Sequence, residues 1–171
     1  MLSIGGFMRL ITALSFAAIL LTSAIANAKD LNSRLGIGYS DQFGLDHSLP
    51  SLALRYYPNA DYGIMGSLGV DTAKDNSRFG FGAKIAKVVF REDNLNFYTA
   101  AGAAVVSQET SGKNSSGFAL SGVAGAEFFL PGLENLSFSF EAGIGILSIS
   151  SETRFRTIGD SPLNAGIIFY F

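Results

Sequence analysis

The sequence predicts an all-β fold, an eight-stranded antiparallel up-and-down barrel. Three observations carry that prediction: apolar residues recur with a period of two, short and long connections alternate, and glycine is abundant. The chain has 171 residues, among them 20 Gly, 15 Phe and 4 Pro. Glycine in a helix interior costs about 1 kcal/mol, so this composition argues against a helical bundle. The length suits one domain.

The leader comes first. Residues 10–26 carry no charge, Arg9 precedes them, and Ala26-Asn27-Ala28 has the small-x-small pattern of a processing site. Residues 1–28 therefore read as a signal peptide cleaved after Ala28, with residues 29–171 as the barrel. An N-terminal anchor is the alternative, but the run is slightly short of the ~20 residues a span needs, and the processing site sits where an anchor would continue. Met8-Arg9 is a more usual start than Met1, so both starts stay open. Downstream there is no second run of ~18 apolar residues, so a mature chain in a membrane crosses it as strands.

Strands follow in order. Residues 34–39 put Leu35, Ile37 and Tyr39 on one face and Arg34, Gly36 and Gly38 on the other. The same partition recurs in residues 52–56, 62–70 and 78–85, which makes four strands before residue 90. Residues 95–108 give the fifth, in which 100–106 are small or apolar on both faces, 118–130 the sixth and 136–146 a cleanly alternating seventh. Residues 163–171 are the eighth. Tight turns are expected at 58–61, 91–94 and 131–135, and longer polar loops at 41–49, 71–77, 109–116 and 148–162. Short connections at one end, long ones at the other and an even strand number describe a transmembrane barrel.

The two faces point the same way. Bulky apolar side chains share one face; the other carries Gly, Ala and Ser with Arg34, Arg55, Lys84, Glu127 and Glu141. An eight-stranded lumen is only just wide enough for side chains, which suits the second face. A water-soluble, lipocalin-like barrel would invert the arrangement, but its solvent face would use Thr, Lys and Glu rather than glycines that weaken strands. Tyr56, Tyr57, Tyr62, Phe90, Phe97, Tyr98, Phe128, Phe129 and Phe138 flank the short turns, with residues 169–171 at the same level, as an interfacial girdle would. A looser set, Tyr39, Phe43, Phe79 and Phe118, sits near the long loops.

The last eight residues, Asn164-Ala165-Gly166-Ile167-Ile168-Phe169-Tyr170-Phe171, resemble the C-terminal β-signal of Gram-negative outer-membrane proteins. The pattern is polar, x, Gly, x, x, aromatic, x, terminal aromatic, and Gly166, Phe169 and Phe171 match it. With the leader and eight strands, the mature chain resembles the small outer-membrane barrels of the OmpA, OmpX and OmpW type. The resemblance implies an integral barrel of the cell outer membrane, reached through periplasmic chaperones and the barrel assembly machinery. It also implies short turns facing the periplasm, long loops facing outside, and contact with outer-membrane lipid and lipopolysaccharide. The chain departs from full-length OmpA in stopping at the last strand, without a peptidoglycan-binding domain.

Charge and composition narrow the functions. Twelve Lys and Arg against 14 Asp and Glu give a net charge of −2, no footprint for nucleic acid. Without Cys there is no disulfide, thiol catalysis, thiolate zinc site or lipid anchor, and a single His excludes a multi-histidine metal site. No cofactor or metal is expected. Pairing the sixth and seventh strands about 131–135 sets Glu127 and Glu141 diagonally across one ladder, at ~7–8 Å. Two carboxylates that close need cations, which Arg34, Arg55 and Lys84 supply on the same phase. Such a cluster reads as a structural plug of ion pairs, or else as a proton path or gated pore. Asp46, His47 and Ser48, with Asp75 and Ser77, are the ingredients of a lipid A palmitoyltransferase-like or deacylase-like site, although adjacent His and Ser in a polar loop are ordinary. The amphipathic N-terminal helix of the palmitoyltransferase is missing. The other loops suit binding of host surfaces, phage or lipopolysaccharide. The expectation is a monomeric, non-enzymatic outer-membrane barrel with a structural or surface role; the alternatives are a narrow OmpW-like channel for small or hydrophobic solutes and a lipid A-modifying enzyme.

Overall fold

In a computed structural model, residues 31–43, 49–150, 152–157 and 164–171 are described. The expected leader, residues 1–28, lies outside them. Nine strands form: β1 (Arg34–Phe43), β2 (Leu49–Tyr57), β3 (Tyr62–Asp71), β4 (Arg78–Glu92), β5 (Leu95–Thr110), β6 (Lys113–Leu130), β7 (Leu133–Ile149), β8 (Glu152–Thr157) and β9 (Asn164–Tyr170). Each pairs antiparallel with its neighbours. The barrel closes where β9 meets β1, from Gly36 opposite Tyr170 to Ser40 opposite Gly166. It is eight-stranded in cross-section, because β8 and β9 divide the flank of β7 between them. Leu136 to Glu141 pair with β9, and Ile144 to Ile149 pair with β8.

Two expected loops are strand instead. β5 and β6 stay paired up to Thr110 opposite Lys113, joined by Ser111 and Gly112 with φ of 52° and 75°. Two successive positive φ values make the kind of turn whose twist matches a hairpin. Residues 109–116 are therefore a projecting hairpin rather than a loop. Likewise, residues 148–162 contain the end of β7, a turn at Ser150 (φ 47°) and all of β8. The cause is common to both. A strand wetted on both faces needs no apolar alternation, so its sequence looks like a polar loop. The difference in length between the two ends therefore lies partly in strands that extend beyond the barrel wall.

Alternation sets the faces as expected. Ile37, Leu52, Leu54, Ile64, Phe81 and Ile85 point outward and are 48–65% exposed. Arg55, Glu127, Ser137, Ser139 and Glu141 point inward and are at most 4% exposed. The aromatic girdle needs correction. Tyr56, Tyr62, Phe90 and Phe97 are outward, and Phe128 stacks on Phe138 and Phe140. Tyr57, Tyr98, Phe129 and Tyr170, by contrast, are buried inside. They share the height of the girdle but have the opposite phase, and phase decides the side of a strand.

Inward glycines make the room those tyrosines need. Tyr98 stands directly across from Gly125, and Tyr170 across from Gly36. A Cβ on Gly125 would lie 2.6 Å from Tyr98 Cζ, and one on Gly36 would lie 2.8 Å from Tyr170 Cδ1. Large side chains opposite bare backbone fit a narrow lumen at that height without overlap. Apolar packing occurs at three levels. Tyr57, Phe129, Ile168 and Tyr170 pack near the short turns, Met65, Tyr98, Ala100 and Val123 in the middle, and Phe43, Leu49, Val106 and Leu147 toward the far end.

Candidate functional site

An ion-pair network crosses the lumen between the first two apolar levels. It draws on β2, β4, β5, β6, β7 and β9, and each side chain is aimed inward by its place in the alternation. Arg55 on β2 is its centre. Its Nη1 lies 3.0 Å from Oε1 of Glu127 on β6, and its Nη2 lies 3.9 Å from Oε1 of Glu141 on β7. Nη2 also donates to Ser139 Oγ at 2.9 Å and to the Tyr98 hydroxyl at 3.3 Å. The guanidinium carbon stands 5.6 Å from the centre of the Tyr98 ring.

Each carboxylate is held from several sides. Glu127 accepts from Tyr57 at 2.8 Å, and from Ser137 and Tyr170 at 2.6 Å each. Glu141 accepts from Tyr98 at 2.7 Å and pairs with the Lys84 ammonium through its other oxygen. Tyr98 thus takes a hydrogen bond from Arg55 and passes one to Glu141. A buried ion pair offsets its desolvation only when its remaining lone pairs and protons are also engaged. Three hydroxyls on Glu127 meet that condition closely.

Of the five expected lumenal charges, four meet: Arg55, Lys84, Glu127 and Glu141. Glu127 and Glu141 are diagonal neighbours as expected, since Ser139 faces Glu127 and Gly125 faces Glu141. Arg34 is elsewhere. At the short-turn rim it donates to Asn135 Oδ1 at 2.8 Å and to the Tyr170 carbonyl at 3.4 Å. It is the first residue of its strand, too near the end to reach the middle of the lumen. The expectation from charge alone missed the tyrosines and Ser137. Their signal was available in the phase: Tyr57 is two residues from Arg55, and Ser137 and Ser139 are in step with Glu141.

The other candidates are more scattered. Gly166 packs its bare Cα against Ser139, where a Cβ would meet Oγ at 2.8 Å. Phe169 and Phe171 point outward at 50% and 64% exposure, and the Phe171 amide bonds to the Leu35 carbonyl at 3.0 Å. Ser77 donates to Glu109 at 2.9 Å, so it is occupied outside any grouping with Asp75. Asp46, His47 and Ser48 lie outside the described residues. At the far end of β3, the Arg78 hydrogen bond and the Ala73 amide hold the Asp71 carboxyl below its ordinary value.

Chemically, the network joins opposite walls of the barrel through buried ion pairs and hydroxyls. The molecule belongs to the class of closed eight-stranded antiparallel β-barrels. No protein-family model matches the chain, and no curated protein matches it.

Proposed function

We propose that the chain is an integral β-barrel of the Gram-negative outer membrane, monomeric and non-enzymatic, with a structural or cell-surface interaction role and a lumen plugged by charged side chains. One observation carries this reading. Bulky apolar side chains stand exposed around the barrel wall, while the ions and hydroxyls are inside. In water that arrangement would expose far more apolar surface than a monomer tolerates, whereas lipid makes it the stable one.

The terminal Gly166, Phe169 and Phe171 support recognition by the barrel assembly machinery after passage with periplasmic chaperones. Outer-membrane lipid and lipopolysaccharide are the proposed surroundings of the belt. The projecting β5–β6 hairpin, polar on both faces, would present the interaction surface outside the cell.

Cell fractionation and gel mobility test the proposal. The chain should be found with the outer membrane and should migrate faster unheated than boiled, because a closed ladder leaves no edge for detergent to attack. Recovery in the soluble periplasm with heat-independent migration would overturn it. A second reading, a narrow channel for small or hydrophobic solutes, draws on the open space beyond the plug. It requires steady conductance in planar bilayers from the unmodified protein.

A further inference from the structure

Beyond the plug, on the side away from the short turns, the lumen holds a cavity of about 80 Å³. That is several times the ~10–15 Å³ one water needs. Its walls are apolar, with Met65, Ala104, Val106 and Leu147 among them. Its polar lining is distinctive. Arg55, Lys84 and Arg156 contribute to the wall and no carboxylate does, because Glu127 and Glu141 engage the cations from outside the cavity lining.

A second observation points to an occupant. Among the described residues, two buried side-chain polar atoms have no hydrogen-bond partner, Ser40 Oγ and Arg55 Nη1, and both residues line this cavity. Ser40 is 3% exposed and Arg55 4%. Arg55 Nη1 is within ion-pair distance of Glu127, but its N–H groups are not aligned on that carboxylate. A buried donor left without a well-aligned acceptor is costly, so native structures rarely leave such groups unfilled.

We propose that this cavity is a binding site for a short-chain carboxylate, an anionic head on a tail of a few apolar carbons. The head accepts from Arg55 Nη1 and Ser40 Oγ, with the Lys84 ammonium nearby. The tail lies against Met65, Ala104, Val106 and Leu147. Ser40 Oγ, which has no partner, and Arg55 Nη1, which is paired with Glu127 but not aligned on it, suit the two oxygens of a carboxylate, and an alkyl tail replaces water poorly held by apolar walls. The site is independent of the proposed cellular location, since it needs only the closed barrel.

The test uses full-length mature barrel in lipid nanodiscs, with hexanoate carrying a 13C carboxyl as the probe and hexanol and chloride as controls. Hexanoate should bind saturably at one site, shifting the carboxyl resonance, and excess chloride at matched ionic strength should not displace it. Ser40→Ala should weaken binding about tenfold, as loss of one charge-assisted hydrogen bond does. Ala104→Phe fills the cavity without touching the ion pairs and should abolish binding while the unheated gel mobility stays that of the folded barrel. Absence of saturable binding, equal affinity for hexanol, or undiminished binding by folded Ala104→Phe would each overturn the proposal; in the first case, water alone satisfies the two donors.

Discussion

Replacing Glu141 with alanine tests the ion network at its most informative point. The change leaves the Lys84 ammonium without its carboxylate and the Tyr98 hydroxyl without its acceptor. Breaking one partner of a buried pair costs about 3–5 kcal/mol because the other charge stays desolvated. Lys84 is 12% exposed, less buried than the Glu141 carboxylate it pairs with, so its stranded charge costs less than a fully buried one and the loss should fall at the lower end, about 3 kcal/mol. Glu141→Gln keeps an acceptor for Tyr98 and should cost less. Lys84→Met combined with Glu141→Ala removes both charges, and the pair should be less damaging than its two single changes added, by roughly 0.5–3 kcal/mol. The measurement is urea unfolding in lipid vesicles, followed by the shift between folded and unfolded gel mobility. Additivity of the two changes within about 0.5 kcal/mol would refute the coupling. Retained stability of Glu141→Ala with raised single-channel conductance would make the pair a gate rather than a brace.

Other perturbations separate further roles. Glu127→Ala should destabilise more than Glu141→Ala in the same urea assay, because it strands Arg55 and three hydroxyl donors in a part of the lumen with 0% exposure at Glu127. Gly125→Ala should cost about 1–3 kcal/mol by overpacking against Tyr98; an unchanged urea midpoint would mean that the ring moves aside freely. Deleting Phe171, whose ring is 64% exposed and adds little burial, should sharply reduce the amount inserted in cells while refolding into detergent stays near normal. Equal losses in the two assays would assign it to stability. Because Arg78 and the Ala73 amide lower the Asp71 pKa, that contact contributes above the ordinary carboxyl value of 3.8 and is lost as pH falls below it. Protection factors of the β3–β4 turn amides, taken relative to intrinsic exchange at each pH, should therefore fall on acidification, and Asp71→Asn should remove that dependence.

Much was legible in the sequence because the period of a strand is local. Leu35, Ile37 and Tyr39 against Gly36 and Gly38 announce a two-faced strand without knowledge of its neighbours, and so do Glu127 and Glu141 across a short turn. The closed all-β architecture, the outward apolar belt and the inward charges all follow from that alternation and from chain punctuation. Even the glycine content was informative, although its use opposite Tyr98 and Tyr170 was not.

The tertiary structure decided what depends on register around the closed circuit. Arg34 and Arg55 have the same inward phase, yet only Arg55 reaches Glu127, because height in the lumen is set by the pairing of every strand between them. The girdle tyrosines divided between outer face and lumen by one-residue differences in phase, which a reading by height could not separate. The polar residues 109–110, 113–116, 148–149 and 152–157 became β-structure because a paired hairpin satisfies its own backbone whatever its side chains are. Alternation is written residue by residue; which side chains meet across the lumen is a property of closure, and closure belongs to the whole chain at once.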